Sequence, residues 1–137
     1  YQILTGDDKS ARYEAAKAWS IWEASTSKLI QNQKSLHHFE NAEVADMFAR
    51  IECHYFINKG FFKYDGWLLD QIHKIRHIPS VIVQGRYDVV CPMITAWELH
   101  HKWPEADFHI IPDSGHSMLE AGIRDKLIEY TNKFSAL

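Results

Sequence analysis

Asp88 and His116 are the residues whose types and spacing suit acid–base chemistry. Each follows a short apolar run that reads as a buried strand. The first is Val81-Ile82-Val83, ended by Gly85-Arg86-Tyr87-Asp88, and the second is Phe108-His109-Ile110-Ile111, ended by Pro112-Asp113-Ser114-Gly115. In open α/β sheets, functional groups gather beyond the carboxyl ends of the strands. The spacing of 28 residues leaves room for a turn, a helix, a strand and a second turn. Both side chains then emerge on one edge of the sheet. A carboxylate placed there accepts from one imidazole nitrogen and leaves the other free to take a proton from a nucleophile. Alone, Asp88 is an ordinary turn former and His116 an ordinary loop histidine. Two such residues, each one loop beyond a buried strand, argue for a shared task.

The elements that must position this pair alternate. After the first strand, Pro92 to Trp103 reads as a helix with Pro in its first turn. After the second, Leu119 to Phe134 reads as a closing helix with Ile123, Leu127, Ile128 and Tyr130 among its apolar positions. Strand–helix–strand–helix implies parallel strands joined by a crossover. The first half of the chain is helical. Asp7-Asp8-Lys9-Ser10 offers capping side chains ahead of a helix from Ala11 to Ala24, whose apolar face holds Ala15, Ala18, Trp19 and Trp22. Ser25 to Lys34 is polar and reads as a loop. A second helix is expected from Ala42 to Asn58, with Lys59-Gly60 as its stop. A shorter helical pattern runs from Trp67 to Ile75. The predicted class is α/β, with a helical part over residues 1–77 and an α/β part over 78–137. Two parallel strands are too few for a sheet buried on both faces. Further strands are therefore expected from outside this sequence, with apolar residues beside Val81–Gln84 left bare without them.

Composition narrows the classes of function. A net charge of −3 and a pI of about 6.3 give none of the basic footprint of a nucleic-acid binder. With 46% apolar residues, the chain has material for a core. No apolar run is long enough to span a bilayer. Two cysteines, Cys53 and Cys91, make no disulfide framework, and a cytoplasmic setting is expected. The chain opens on Tyr1 with no charged-then-apolar leader, and is expected to be a fragment of a longer protein. Its histidines suggest metal, but the pairs His37-His38 and His100-His101 would point apart on a helix. His73 and His77 lack a His-Glu-x-x-His frame. No metal and no cofactor are expected.

Longer motifs resemble the proline iminopeptidases, a family of α/β-hydrolase fold. Ile78-Pro79-Ser80-Val81-Ile82-Val83-Gln84-Gly85-Arg86-Tyr87-Asp88-Val89-Val90-Cys91-Pro92 is similar to the family's acid-bearing segment. Pro112-Asp113-Ser114-Gly115-His116-Ser117 is similar to its histidine turn. Ala18-Trp19-Ser20-Ile21-Trp22-Glu23 and Ala49-Arg50-Ile51-Glu52-Cys53-His54-Tyr55-Phe56 resemble two segments of its cap. The Gly-x-x-Asp and Gly-His pieces are shared by many α/β-hydrolases, whereas the Trp-x-x-Trp-Glu and Arg-Ile-Glu-x-His-Tyr-Phe segments are far more specific.

The resemblance implies a serine exopeptidase that releases proline from the N-terminus of peptides. Asp88 and His116 would be its catalytic acid and histidine, in the order found in α/β-hydrolases, where Ser comes first. Glu23 and Glu52 match the positions that bind the substrate's free amine, which carboxylates hold by charge-assisted hydrogen bonds. Without the resemblance, each would read as a solvated helical Glu. Trp19, Trp22, Tyr55 and Phe56 could shape a slot for the pyrrolidine ring, although an aromatic stripe more often forms core. The family usually has Asn where this chain has Cys53. A Gly-x-Ser-x-Gly elbow does not occur. In the family the elbow and the oxyanion hole precede the cap, so a missing N-terminal half is the expected partner and the chain alone is expected to be inactive. Two other readings fit the residues: a capped hydrolase of other specificity, such as an epoxide hydrolase or esterase, and a non-catalytic interaction module.

Overall fold

A computed structural model describes residues 1–30 and 41–136. The chain divides into two compact units: Tyr1–Ser25 with Ile30–Lys63, and Thr26–Leu29 with Tyr64–Leu137.

The first unit is helical. A short helix, α1 (Gln2–Thr5), precedes α2 (Lys9–Thr26). The predicted cap is present: Asp8 Oδ1 accepts from the amides of Ser10 and Ala11. α3 (Ala42–Ile57) starts in the same way, with the Asn41 side chain accepting from the amides of Glu43 and Val44. It stops before a 3-10 turn, Lys59–Phe61, where Gly60 has a φ of 61°. The buried cluster is Leu4, Ala16, Ala45, Ala49 and Cys53, with Ala15 and Trp19 packed on it. Cys53 is thus a core residue, a usual place for a free thiol. Asp46 is buried, and its charge is balanced by Arg12 at 3.1 Å and Arg50 at 3.7 Å.

In the second unit, the helical pattern predicted over Trp67–Ile75 is broken. It forms α4 (Trp67–Asp70) and a 3-10 turn, Ile72–Lys74. Of these residues only Ile72 is buried, packed with Trp103 and Ala106, so little apolar face holds a longer helix together. Arg76 forms a bidentate pair with Glu105, which raises the guanidinium pKa and lowers that of the carboxylate.

The strand–helix–strand–helix order is realised as β1 (Val81–Gly85), α5 (Met93–Lys102), β2 (Asp107–Ile111) and α6 (Ala121–Phe134). β1 and β2 are parallel neighbours, Val81 opposite Asp107 and Gly85 opposite Ile111. They are the whole of the sheet among the described residues. Val81, Ile82 and Val83 are half-buried. That falls short of the bare face expected from a two-stranded sheet; on one face Ile82, with Leu99, lies against the Ile72–Trp103–Ala106 cluster.

α6 is tied to β2 by a polar relay. The Tyr130 hydroxyl donates to Asp107 Oδ2 at 2.8 Å and lies 2.8 Å from His109 Nε2, and Lys133 Nζ is 3.4 Å from the same carboxylate oxygen. The hydrogen bond from Tyr130, with help from Lys133, lowers the Asp107 pKa. The same bond raises that of Tyr130. A carboxylate with a lowered folded pKa contributes stability above its unfolded value and loses it as pH falls through the folded one. Tyr130→Phe is therefore expected to lower the melting temperature at neutral pH. As the pH falls below the ordinary aspartate range and Asp107 takes up a proton, the gap from wild type should close. Thermal melts of both proteins across that range check this, and a gap that stays constant would contradict it.

Candidate active site

The parallel register brings both strand ends to one edge, and the two loops beyond continue side by side. The Arg86 amide donates to the Ile111 carbonyl at 2.9 Å and the Tyr87 amide to the Ser114 carbonyl at 3.0 Å. These bonds fix the distance between the turn that carries Asp88 and the turn that carries His116.

Asp88 Oδ1 closes its own turn, accepting from the amides of Val90 at 3.0 Å and Cys91 at 2.8 Å. Its Oδ2 lies 3.0 Å from His116 Nδ1 and accepts from Gln84 Nε2 at 3.2 Å. Only 6% of the Asp88 side chain is exposed, against 39% of the His116 side chain. The acid is thus shielded from water while the imidazole faces outward. An ionised carboxylate only accepts hydrogen bonds, so Nδ1 must carry the hydrogen. In the neutral ring Nε2 then holds a lone pair, the state required of a general base. Around His116 a concave surface of about 440 Å³ is lined by Ser27, Ser117, Met118 and Leu119.

Glu23 and Glu52 both lie in the first unit and are both half-buried, Glu23 near the end of α2 and Glu52 on α3. Glu52 Oε2 accepts from Trp19 Nε1 at 2.7 Å, and the Trp19 ring lies 6.1 Å from that of Phe56. The aromatic residues here are not plain core: Trp22, Tyr55 and Phe56 are all more than half exposed.

Of the histidines, His101 stacks on Trp97, His100 packs against Phe108, and His73 Nδ1 bonds the Asp70 carbonyl. The His37-His38 pair lies outside the described residues. Among the described residues no group of three potential ligands could hold a metal ion. No helix there is long and apolar enough to cross a membrane.

Two residues of the site had no role in the sequence reading. Gln84, the last side chain of β1, is buried and donates to Asp88 Oδ2 and to the carbonyls of Gly85 and Cys91. A polar residue ending an apolar strand was the available signal. The other is Glu120, whose carboxylate accepts from the amides of Gly115 and Leu29. Nothing local in the sequence marks a partner so far away.

No protein-family model matches this sequence. Curated relatives do. A probable proline iminopeptidase of Leptolyngbya boryana is 56% identical over 136 residues, which cover 99% of this chain and 42% of the relative. A proline iminopeptidase of Arabidopsis thaliana is 50% identical over 137 residues, 100% of this chain and 36% of its own. This chain is a homologue of proline iminopeptidases. The relationship extends to the proline iminopeptidase of Neisseria gonorrhoeae, 41% identical over 127 residues, 93% of this chain and 39% of that protein. The chain spans about two fifths of the length of the proline iminopeptidases it matches, and corresponds to their C-terminal part. The match covers the helical unit and the strand-bearing unit alike.

Proposed function

We propose that this chain is the C-terminal part of an α/β-hydrolase-fold serine peptidase that removes proline from the N-terminus of peptides. Its helical cap would be drawn from residues 1–77 and the end of its catalytic core from 78–137. The observation that carries the reading is the 3.0 Å contact of His116 Nδ1 with a carboxylate shielded from water, at the edge where two parallel strands end. Homology to proteins more than twice as long supports a nucleophile supplied by a segment outside this sequence.

In this mechanism the serine hydroxyl attacks the prolyl carbonyl while His116 Nε2 takes its proton. Asp88 holds Nδ1–H and stabilises the imidazolium that forms. His116 then gives the proton to the leaving amine of the second residue, and an acyl-enzyme remains. Water, deprotonated by His116, releases free proline. Glu23 and Glu52 hold the substrate's charged secondary amine, and an amine bound there is what limits the enzyme to N-termini. No cofactor is needed in these steps.

The test uses the full-length protein that carries this sequence. It should hydrolyse a prolyl arylamide, lose that activity to a serine-directed reagent, and ignore the N-acetylated substrate. The 137-residue chain by itself should turn over neither. Glu52→Gln sharpens the test, because the new carbonyl oxygen can still accept from Trp19 Nε1 while the charge is gone. Losing one partner of a shielded charge pair costs about 2 kcal/mol or more, roughly a thirtyfold rise in KM. Equal rates on the free and acetylated substrates, or an unchanged KM in the variant, would overturn the assignment.

A further inference from the structure

Among the described residues His116 has one side-chain hydrogen bond, through Nδ1, and its side chain is more than a third exposed. Little packing therefore holds the imidazole, and its aim depends on the backbone beneath it. That backbone is held at every amide from Gly115 to Ser117. The amides of His116 and Ser117 both donate to the Ser27 carbonyl, at 3.0 and 2.7 Å. The Gly115 amide donates to Glu120 Oε1 at 2.8 Å. The other oxygen of that carboxylate, Oε2, accepts from the Leu29 amide at 3.2 Å. One side chain thus grips the histidine turn and the segment whose carbonyl holds that turn from the other side.

Glu120 stands at the N-cap of α6, where a short polar or acidic side chain would ordinarily accept from the first helical amides. Here no side-chain cap bond is made. The carboxylate turns away from its own helix, and both oxygens are spent on the histidine turn and on Leu29. The Glu120 amide in turn donates to the Ser117 carbonyl at 3.0 Å, which closes the loop on itself.

We infer that Glu120 is a positioning residue: its carboxylate bridges the Gly115 and Leu29 amides and so fixes the turn that aims His116 at Asp88. This deepens the reading of His116 as the catalytic base and rests on it. Glu120 touches neither His116 nor Asp88 through its side-chain hydrogen bonds, so it acts through the backbone.

Glu120→Ala removes both acceptors. Glu120→Gln keeps one oxygen and presents an amide group to the second N–H, so it holds only one of the two bonds. In the full-length protein the expected result is a graded loss of kcat: largest in Glu120→Ala, on the order of tenfold to a hundredfold, and smaller in Glu120→Gln. KM should remain near wild type, because the cap carboxylates are untouched. The second readout needs no substrate. The Nδ1–H proton of His116, bonded to a carboxylate, should give a downfield NMR signal in wild type that weakens in Glu120→Gln and is lost in Glu120→Ala. If both variants keep wild-type kcat and this signal, Glu120 has no positioning role. The same follows if kcat falls only in step with the folded fraction while the signal of the folded molecules is unchanged. A full-length protein that cleaves no prolyl substrate would overturn the proposed function, and the proton signal would still decide the role of Glu120.

Discussion

Asp88→Asn should lower kcat of the full-length protein on a prolyl arylamide by roughly four orders of magnitude, with the folded structure largely kept. The cause lies in how the carboxylate shares its acceptors. Oδ1 is committed to the amides of Val90 and Cys91. In the variant those donors claim the single carbonyl oxygen, and the NH₂ group takes the place of Oδ2. It then faces His116 Nδ1 and Gln84 Nε2, which both donated to the carboxylate. Against Gln84 two donors now meet. Against His116 the conflict is relieved by a change of tautomer: Nδ1 becomes the acceptor and the hydrogen moves to Nε2. An imidazole protonated at Nε2 cannot take a proton from serine. Kinetics set beside a thermal melt decide the matter. A loss below about tenfold with an unchanged melt would mean that Asp88 does not set the state of His116.

This effect was half visible in the sequence. The pair was legible because its cause is topological: two β-branched runs punctuated by Gly and Pro, a helix between them, and a single crossover hand. Such signals are local, and β1, α5, β2 and α6 follow from them. What was hidden depends on partners distant along the chain. Glu120 meets Leu29 across 91 residues, and Glu52 meets the Trp19 indole across 33. No periodicity records such contacts. Glu52 shows the consequence well, since as a lone helical Glu it gives no sign of a half-buried acceptor bonded to an indole. The broken helix at Trp67–Ile75 failed for another reason. Its apolar residues have a plausible helical period, but Leu68 and Ile75 remain exposed and only Ile72 finds a core. The length of a helix is set by the surface that covers it, and that surface is a property of the fold.

Gly85→Ala is expected to be the most damaging single-methyl change in the strand-bearing unit. Gly85 ends β1, where the strand end comes close to the backbone of the histidine turn. A Cβ added there would stand 1.8 Å from the Gly115 carbonyl oxygen and 2.8 Å from the Ser114 carbonyl oxygen. Both are backbone atoms, so no side chain can rotate away. The histidine turn must move instead, and it is held by the Tyr87 bond to Ser114 and the two bonds to the Ser27 carbonyl. Overpacking of this kind costs about 3 kcal/mol, a fall in Tm on the order of 10 °C. Gly66→Ala is the control. Gly66 has a φ of 82° with no atom within 4 Å of the added Cβ, so it carries backbone strain alone, roughly 1 kcal/mol. Activity should separate the two variants further. Moving the histidine turn stretches the 3.0 Å contact between His116 and Asp88, so Gly85→Ala should lose kcat even at temperatures where it stays folded. Gly66→Ala should keep it. If both variants melted together and kept equal kcat, the close approach of β1 to the histidine turn would not be what sets the catalytic distance.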